Sequence, residues 1–351
     1  MISRSAFRGK RVWLSGHTGF KGGWLAVWLT DMGARVTGFS LAPQTPFFSQ
    51  LKLKNRLKHE LGDLRDGGKV RKSILRCRPD FVLHLAAQPL VRDSYLRPLE
   101  TYEINILGTA HVLQALREVQ HPCAAVFITT DKVYRNEERR HAFREEDPLG
   151  GQDPYSASKA ATEILISSYR DSFFRNHPVR IASARSGNVI GGGDYSLDRI
   201  IPDAFRALRR GRPIPVRNPR SIRPWQHVLE PTCGYLALAA NLARSRKHQG
   251  AYNFGPSFRD ERTVMELVRE VLKNWKGTWR ALREKHPPHE ARRLQLQNSK
   301  ARRRLGWQPK FSFSQAIRLT MEWYQASTKS GFDAYGACRR QITEYQNMGG
   351  S

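Results

Sequence analysis

Only four of the 351 residues are cysteines, and Cys77, Cys123, Cys233 and Cys338 stand far apart, with no CxxC pair among them. That spacing argues against a zinc site and against a disulfide framework, and no metal is expected. The thiols read as small buried side chains in a reducing compartment. Long apolar runs are also missing: no stretch approaches the roughly 18 residues of a membrane span. The first ten residues, rich in Arg and Lys, lead straight into an apolar strand. They lack the apolar core and small-residue cleavage site of a secretory signal, so the chain is expected in the cytoplasm, away from membranes. Acidic residues are scarce, 31 against 59 Lys and Arg, which leaves a net charge of +28. An excess of this size favours anionic partners. The cations are spread along the chain, and the densest runs, Arg209-Arg210 and Arg302-Arg303-Arg304, are short. No nucleic-acid-binding motif accompanies them, so an anionic small molecule is the expected partner.

The first half alternates short apolar runs with helical patterns. Val12-Trp13-Leu14, Arg35 to Phe39, Phe81 to Leu85, Ala125 to Ile128 and Val179 to Ala182 read as strands. Trp24 to Leu29, Lys69 to Arg76, Glu103 to Val119 and Tyr155 to Phe174 read as helices between them. Strands alternating with helices of about ten or more residues predict an α/β fold, a Rossmann-like doubly wound parallel sheet. After Asn188 the rhythm breaks at Gly191-Gly192-Gly193 and a run of prolines. We place a sheet domain over 1–186, with about 226–255 returning to it, and a smaller C-terminal substrate-binding domain over 187–351.

Ser15-Gly16-His17-Thr18-Gly19-Phe20-Lys21-Gly22 joins the first strand to the first helix. Glycines there permit a tight turn and a close backbone approach to a diphosphate, and the helix start offers free N–H groups. Gly16, Thr18, Gly19, Phe20, Lys21 and Gly22 are therefore candidate dinucleotide contacts. The second strand ends Gly38-Phe39-Ser40-Leu41, without the acid that usually grips the adenosine ribose and without an Arg for a 2′-phosphate. These residues leave NAD and NADP open. Asp63 and Leu64 are candidates for the adenine edge, Asp63 being equally readable as a loop aspartate, and Asp66 as a helix N-cap.

Tyr155-Ser156-Ala157-Ser158-Lys159 is a YxxxK pair whose spacing of four puts both side chains on one helical face. A lysine beside a phenol is expected to lower its pKa, so that the phenolate takes a hydroxyl proton. Thr129-Thr130-Asp131-Lys132 leaves a strand at its carboxyl end, where doubly wound sheets hold ligands.

The glycine turn, Leu85-Ala86-Ala87-Gln88-Pro89-Leu90-Val91, the Thr-Asp-Lys strand end and YxxxK together resemble the extended short-chain dehydrogenase/reductase superfamily. Four stretches narrow this. They are Gly16 to Gly22, Gly187-Asn188-Val189-Ile190-Gly191-Gly192-Gly193-Asp194, Arg217-Asn218-Pro219 with Ser221 to Val228, and Pro288-His289-Glu290-Ala291. The set resembles the nucleotide-sugar 4,6-dehydratases that act on CDP-glucose, from about Phe7 to Trp323. The resemblance implies bound NAD, with Leu85, Ala86, Ala87, Gln88, Thr129, Tyr155 and Lys159 joining the glycine turn around it. It implies catalysis by Thr130, Asp131, Lys132, Tyr155 and Lys159. It places the substrate among Gln88, Ser94, Tyr95, Asn188, Arg199, Arg217, Arg223, His227 and His289. His227 stays open between ligand contact and structural residue. The resemblance also implies a homodimer or homotetramer built on the helices at Glu103 to Val119 and Tyr155 to Phe174. An epimerase, decarboxylase, reductase or other dehydratase on another nucleotide sugar, and a non-catalytic NAD- or RNA-binding protein, are the alternatives. The segment Arg292 to Lys300 is more basic than the pattern of those dehydratases.

Overall fold

The computed structural model describes residues 3–137, 141–257, 261–282 and 294–348. The doubly wound parallel sheet is present, with seven strands. Its strands are β1 (Arg11–Ser15), β2 (Arg35–Ser40), β3 (Lys58–Leu61), β4 (Phe81–His84), β5 (Cys123–Ile128) and β6 (Val179–Arg185), with Gly250–Asn253 at one edge. The order across the sheet is Gly250–Asn253, β6, β5, β4, β1, β2, β3, and every pairing is parallel. From β1 the chain winds outward one way to β3, and from β4 the other way to β6. The crevice between the carboxyl ends of β1 and β4 is the switch point at which such sheets bind ligands.

The strands are buried on both faces, which is why they read as continuous apolar runs. In β1, Val12 and Leu14 enter the layer built by helix α1 (Phe20–Asp31) and helix Leu229–Arg244. Trp13 points the other way, stacks on Phe39, and donates from Nε1 to Ser73 Oγ at 2.8 Å on helix Gly67–Cys77. Asp66 caps that helix by accepting from Lys69 N.

Two local readings differ from the structure. β3 was not apparent in the sequence because Lys58-His59-Glu60-Leu61 buries no side chain fully and sits at a polar sheet edge. The long helix expected over 103–119 is interrupted: a π-helical turn spans Glu103–Leu107 before the α-helix Gly108–Leu116. Such turns cluster at functional sites. Here the turn carries Asn105, which bonds Gln88 N, Gln88 O and Ser158 Oγ at 2.8–3.1 Å.

Beyond β6, helices Ile200–Arg209, Val264–Asn274 and Phe313–Ala326 and three two-stranded pairings form the smaller layer. Gly191 to Gly193 is where this layer meets α1. A Cβ on Gly192 would lie 2.1 Å from the Trp323 ring, and Trp24 Nε1 donates to Gly192 O at 2.9 Å. The triple glycine is thus a packing device. The last helix, Ala334–Asn347, lies back against α1. Among the described residues no helix is long and apolar enough to cross a membrane, and no cluster of three metal-ligating side chains occurs.

Candidate active site

The glycine turn sits at the switch point. Ser15 Oγ accepts the N–H groups of Leu85 and Ala86 at 3.0 and 3.1 Å, tying β1 to β4. Gly16, at φ +74°, passes so close that a Cβ would lie 2.8 Å from Ala86 N. A Cβ on Gly22 would lie 2.0 Å from Gly16 O. Gly19 caps α1 without a side chain, which leaves the N–H groups of Phe20, Lys21 and Gly22 and the positive end of the helix open to an anion. These are the features a dinucleotide diphosphate requires. At the β2 tip, where an acid is absent, Ser40 Oγ and Thr18 Oγ1 lie 2.7 Å apart. His17 packs its ring over Gly38 and reaches His59 Nδ1 at 2.7 Å. Asp63 spends its carboxylate on Arg65, at 2.6 Å from Nη2, and Leu64 is buried beside Gly108.

A cleft of about 470 Å³ opens beside this turn. Lys21, Thr130, Asp131, Lys132, Tyr155, Asn188, Arg199, Arg217 and Arg223 all line it. β5 delivers the Thr130-Asp131-Lys132 turn at its carboxyl end, and Tyr155 opens helix Pro154–Ser172. Asp131 is 1% exposed and packs its carboxyl on the Cα of Gly187. It accepts from Thr130 Oγ1 at 3.0 Å and from Asn188 Nδ2 at 3.2 Å. Asn188 adopts φ +50° to make this contact. Burial pushes the Asp131 carboxyl up, while Lys132, the Thr130 hydroxyl, Arg223 and Lys21 pull it back. Asp131 is therefore a carboxyl poised to carry a proton.

The expected effect of Lys159 on Tyr155 differs in the structure. Burial raises the phenol to about 12, and the Thr130 hydroxyl and Arg199 are what lower it. Lys159 instead donates from Nζ to Ile128 O at 3.1 Å, and burial brings it down to about 8. Lys21 points from the first turn of α1 into the same space, 5.9 Å from the Tyr235 ring centroid. Burial and the cations Arg199 and Lys159 lower it to about 7, against the pull of Asp131 and Asp194.

Several predicted contacts fall elsewhere. His227 is fully buried between Trp24 and Phe311, and its Nδ1 accepts from Leu229 N, so it is a core residue. Gln88 uses its amide inside the protein, on Leu90 in its own loop and on Thr101 of helix Pro98–Tyr102. Ser94 is buried, accepts from Tyr155 N at 3.1 Å and thereby anchors the helix that carries the phenol. Tyr95 is 42% exposed and lies outside the cleft lining. Thr129 turns its hydroxyl to Glu163 and does not line the cleft. Arg217 faces the cleft while paired with Asp198 and Asp203. His289 lies outside the described residues.

Two residues were missed. Asp194 holds Arg199, Oδ2 to Nη1, at 2.9 Å; it closes the Gly191-Gly192-Gly193-Asp194 block, which was its signal. Glu163 lies beneath Lys159, and its signal was the continuation 155, 159, 163 along one helical face.

This arrangement defines a dinucleotide-binding enzyme of the α/β class, and the chain belongs to the GDP-mannose 4,6-dehydratase family, whose model matches residues 14–320. It is 43% identical over 357 residues to the CDP-glucose 4,6-dehydratase of Salmonella typhimurium, covering 99% of each chain. It is 27% identical to the dTDP-glucose 4,6-dehydratase of Xanthomonas campestris over 89% of this chain and 92% of that one. Among solved structures it superposes on the dTDP-glucose 4,6-dehydratase of Streptomyces venezuelae with NAD bound, with a TM-score of 0.79 at 23% identity, covering 90% of this chain and 97% of that one. The UDP-glucose 4-epimerase of Thermus thermophilus in complex with NAD gives a TM-score of 0.76 at 25% identity, with 90% and 99% covered.

Proposed function

We propose that the chain catalyses NAD-dependent conversion of CDP-glucose to CDP-4-keto-6-deoxyglucose with loss of water. The observation that carries this is the meeting of Tyr155, Asp131 and Lys132 with the cations Arg199, Arg217 and Arg223 in one cleft beside the glycine turn. The 43% identity to the Salmonella enzyme along nearly the whole of both chains supports CDP-glucose as the substrate.

The chemistry that a bound NAD supplies is storage of the C4 hydride for later delivery to C6. The N–H groups of the α1 start would hold the diphosphate of NAD, and Lys159 would hold its nicotinamide ribose. Tyr155 takes the proton of the 4-hydroxyl, and Thr130 hydrogen-bonds the same oxygen. The resulting 4-ketone acidifies the C5 proton. Lys132, next to Asp131 in the chain, is the proposed acceptor of that proton, and the proton returns to C5 when the stored hydride reaches C6, which gives the 4-keto-6-deoxy product. Asp131, whose carboxyl burial pushes up, gives its proton to the departing C6 hydroxyl, which leaves as water. Arg199, oriented by Asp194, and Arg223 bind the substrate diphosphate through their planar donor forks. Leu107 and Ile164, each more than half exposed on the helices expected to dimerise, support a homodimer or homotetramer.

Incubation with CDP-glucose, and in parallel with dTDP-, UDP- and GDP-hexoses, tests the reading. The 4-keto product develops a near-ultraviolet absorbance in strong alkali that an epimer does not. Absence of that signal with CDP-glucose, or a larger one with another nucleotide, rejects the substrate assigned here.

A further inference from the structure

Behind the cleft, further along the helix that carries Tyr155 and Lys159, lies a buried ionic cluster with no part in the chemistry above. Its centre is Glu163, one helical turn after Lys159 and two after Tyr155. The Glu163 side chain is 3% exposed. One oxygen, Oε1, accepts from Thr129 Oγ1 at 2.5 Å. The other accepts from Ser183 Oγ and from Arg185 Nη2, both at 2.8 Å. Arg185, 4% exposed, continues outward to Tyr134 OH at 2.8 Å and to Glu145 O at 3.0 Å. Two buried cations therefore act on one anion inside the protein: Arg185, bonded to it directly, and Lys159, one helical turn before it with its Nζ on Ile128 O.

We infer that Glu163 is the positioning residue that keeps Lys159 charged and fixed for cofactor binding. The geometry gives it two handles. Thr129, which it grips, stands between Ile128, whose carbonyl receives the Lys159 ammonium at 3.1 Å, and Thr130, which touches Asp131. Glu163 thus sets where the end of β5 lies relative to helix Pro154–Ser172. It is also the counter-charge of Lys159. An ammonium removed from water loses stability as a cation unless an anion stands near it. Burial lowers Lys159 to about 8, and Glu163 is the group that holds it up. Lys21 from α1 and His84 from β4 also face Lys159; the first is a competing cation, and the second is held neutral by burial. Arg185, Ser183 and Thr129 face Glu163 from β6 and β5 and keep its carboxyl below the usual range, so it remains an anion where Lys159 titrates.

The inference rests on the NAD-binding part of the reading above, and its test needs no sugar substrate. NADH affinity is measured by fluorescence across the pH range around 8, where Lys159 loses its proton. In the parent protein affinity falls as pH rises through that value. In Glu163→Gln the fall moves to lower pH by about one unit or more, the shift that loss of a close opposite charge produces, which is about tenfold weaker binding between the two midpoints. Glu163→Asp keeps the charge and keeps the parent midpoint. Because Glu163→Gln leaves Arg185 buried without an anion, the double variant Glu163→Gln/Arg185→Gln is measured beside it, with a thermal melt of each. It too shows the lowered midpoint. An unmoved midpoint in both, with affinity lowered evenly at every pH, leaves Glu163 a structural residue only and overturns the inference. So does a parent protein whose NADH affinity does not depend on pH. Failure of the CDP-glucose assignment is distinct: it shows as absence of the 4-keto product while NADH still binds.

Discussion

Replacing Gly187 by alanine tests the placement of Asp131 without touching a functional group. Gly187 lies at an ordinary negative φ, so its backbone accepts a side chain. The added Cβ would lie 1.9 Å from Asp131 Oδ2, 2.1 Å from Oδ1 and 2.0 Å from Cγ. Non-bonded carbon contacts settle near about 3.5 Å, so the carboxyl has to retreat by more than about 1 Å. It has little room to do so: Asp131 is 1% exposed and held by Thr130 and Asn188. A displacement of about 1 Å in a reacting group costs on the order of 100-fold in rate. Overpacking a buried site adds roughly 1–3 kcal/mol of lost stability. The variant should therefore still fold, with a lowered Tm. Two optical signals separate the steps. NADH absorbance in a single turnover reports oxidation at C4, which depends on Tyr155. The alkali absorbance of the 4-keto product reports water loss, which depends on Asp131. Oxidation is expected near the parent rate and water loss slower by about 100-fold or more, so that NADH accumulates. Asp131→Asn should reproduce this pattern without the loss of stability. Water loss within a few-fold of the parent in Gly187→Ala would show that the Asp131 carboxyl does not act from this position.

Gly22→Ala drives a Cβ to 2.0 Å from Gly16 O, which is backbone and cannot yield; NAD binding measured by titration should be lost along with several degrees of Tm. Tyr155→Phe should lower kcat by roughly 10²–10⁴-fold. It should also abolish the rise of the parent rate with pH, because a free phenol near 12 supplies more phenolate as pH climbs. Arg199→Leu removes the partner of Asp194 and a diphosphate donor, and should raise KM for CDP-glucose by about tenfold or more with a smaller change in kcat. Glu230→Gln tests a buried acid outside the cleft. Its carboxyl accepts from Lys310 N, Phe311 N and Tyr345 OH, and burial raises it to about 7. The folded state then holds a proton that the unfolded state releases at a lower pH. Stability therefore falls as pH rises from the ordinary glutamate value through about 7, by on the order of 3 kcal/mol. Thermal melts of the glutamine variant should show that decline flattened; an unchanged slope would mean Glu230 is not its source.

Most of the sheet was legible because burial on both faces makes a strand a short unbroken apolar run, as in Val12-Trp13-Leu14 and Phe81 to Leu85. The strand Lys58–Leu61 was not, because an edge strand with mixed charges carries no such run. The π-helical turn at Glu103–Leu107 was hidden by the regular apolar spacing that continues through it. The last helix, Ala334–Asn347, went unread among polar residues, although it packs on α1 and bonds Glu230.

The candidate site divides along the same line. Residue type and spacing suffice where the constraint is local. The glycine turn is forced by backbone proximity within Gly16 to Gly22, and Tyr155 and Lys159 share a helical face at any tertiary arrangement. Which way a side chain points from a loop is a different matter. Gln88 and Thr129 stand in the expected motifs and Ser94 three residues beyond one, yet each spends its hydrogen bonds inside the protein, on Leu90 and Thr101, on Glu163, and on Tyr155 N. His227 belongs to the most distinctive motif and is a core residue. Protonation was decided by packing as well: burial raises Tyr155 and Asp131 and lowers Lys21 and Lys159, because a charge inside the protein depends on partners that other elements bring from far along the chain. The order of residues determined the strands, the turn and the helical face. Only their assembly in three dimensions decided which groups share a cleft and which of them carry a proton there.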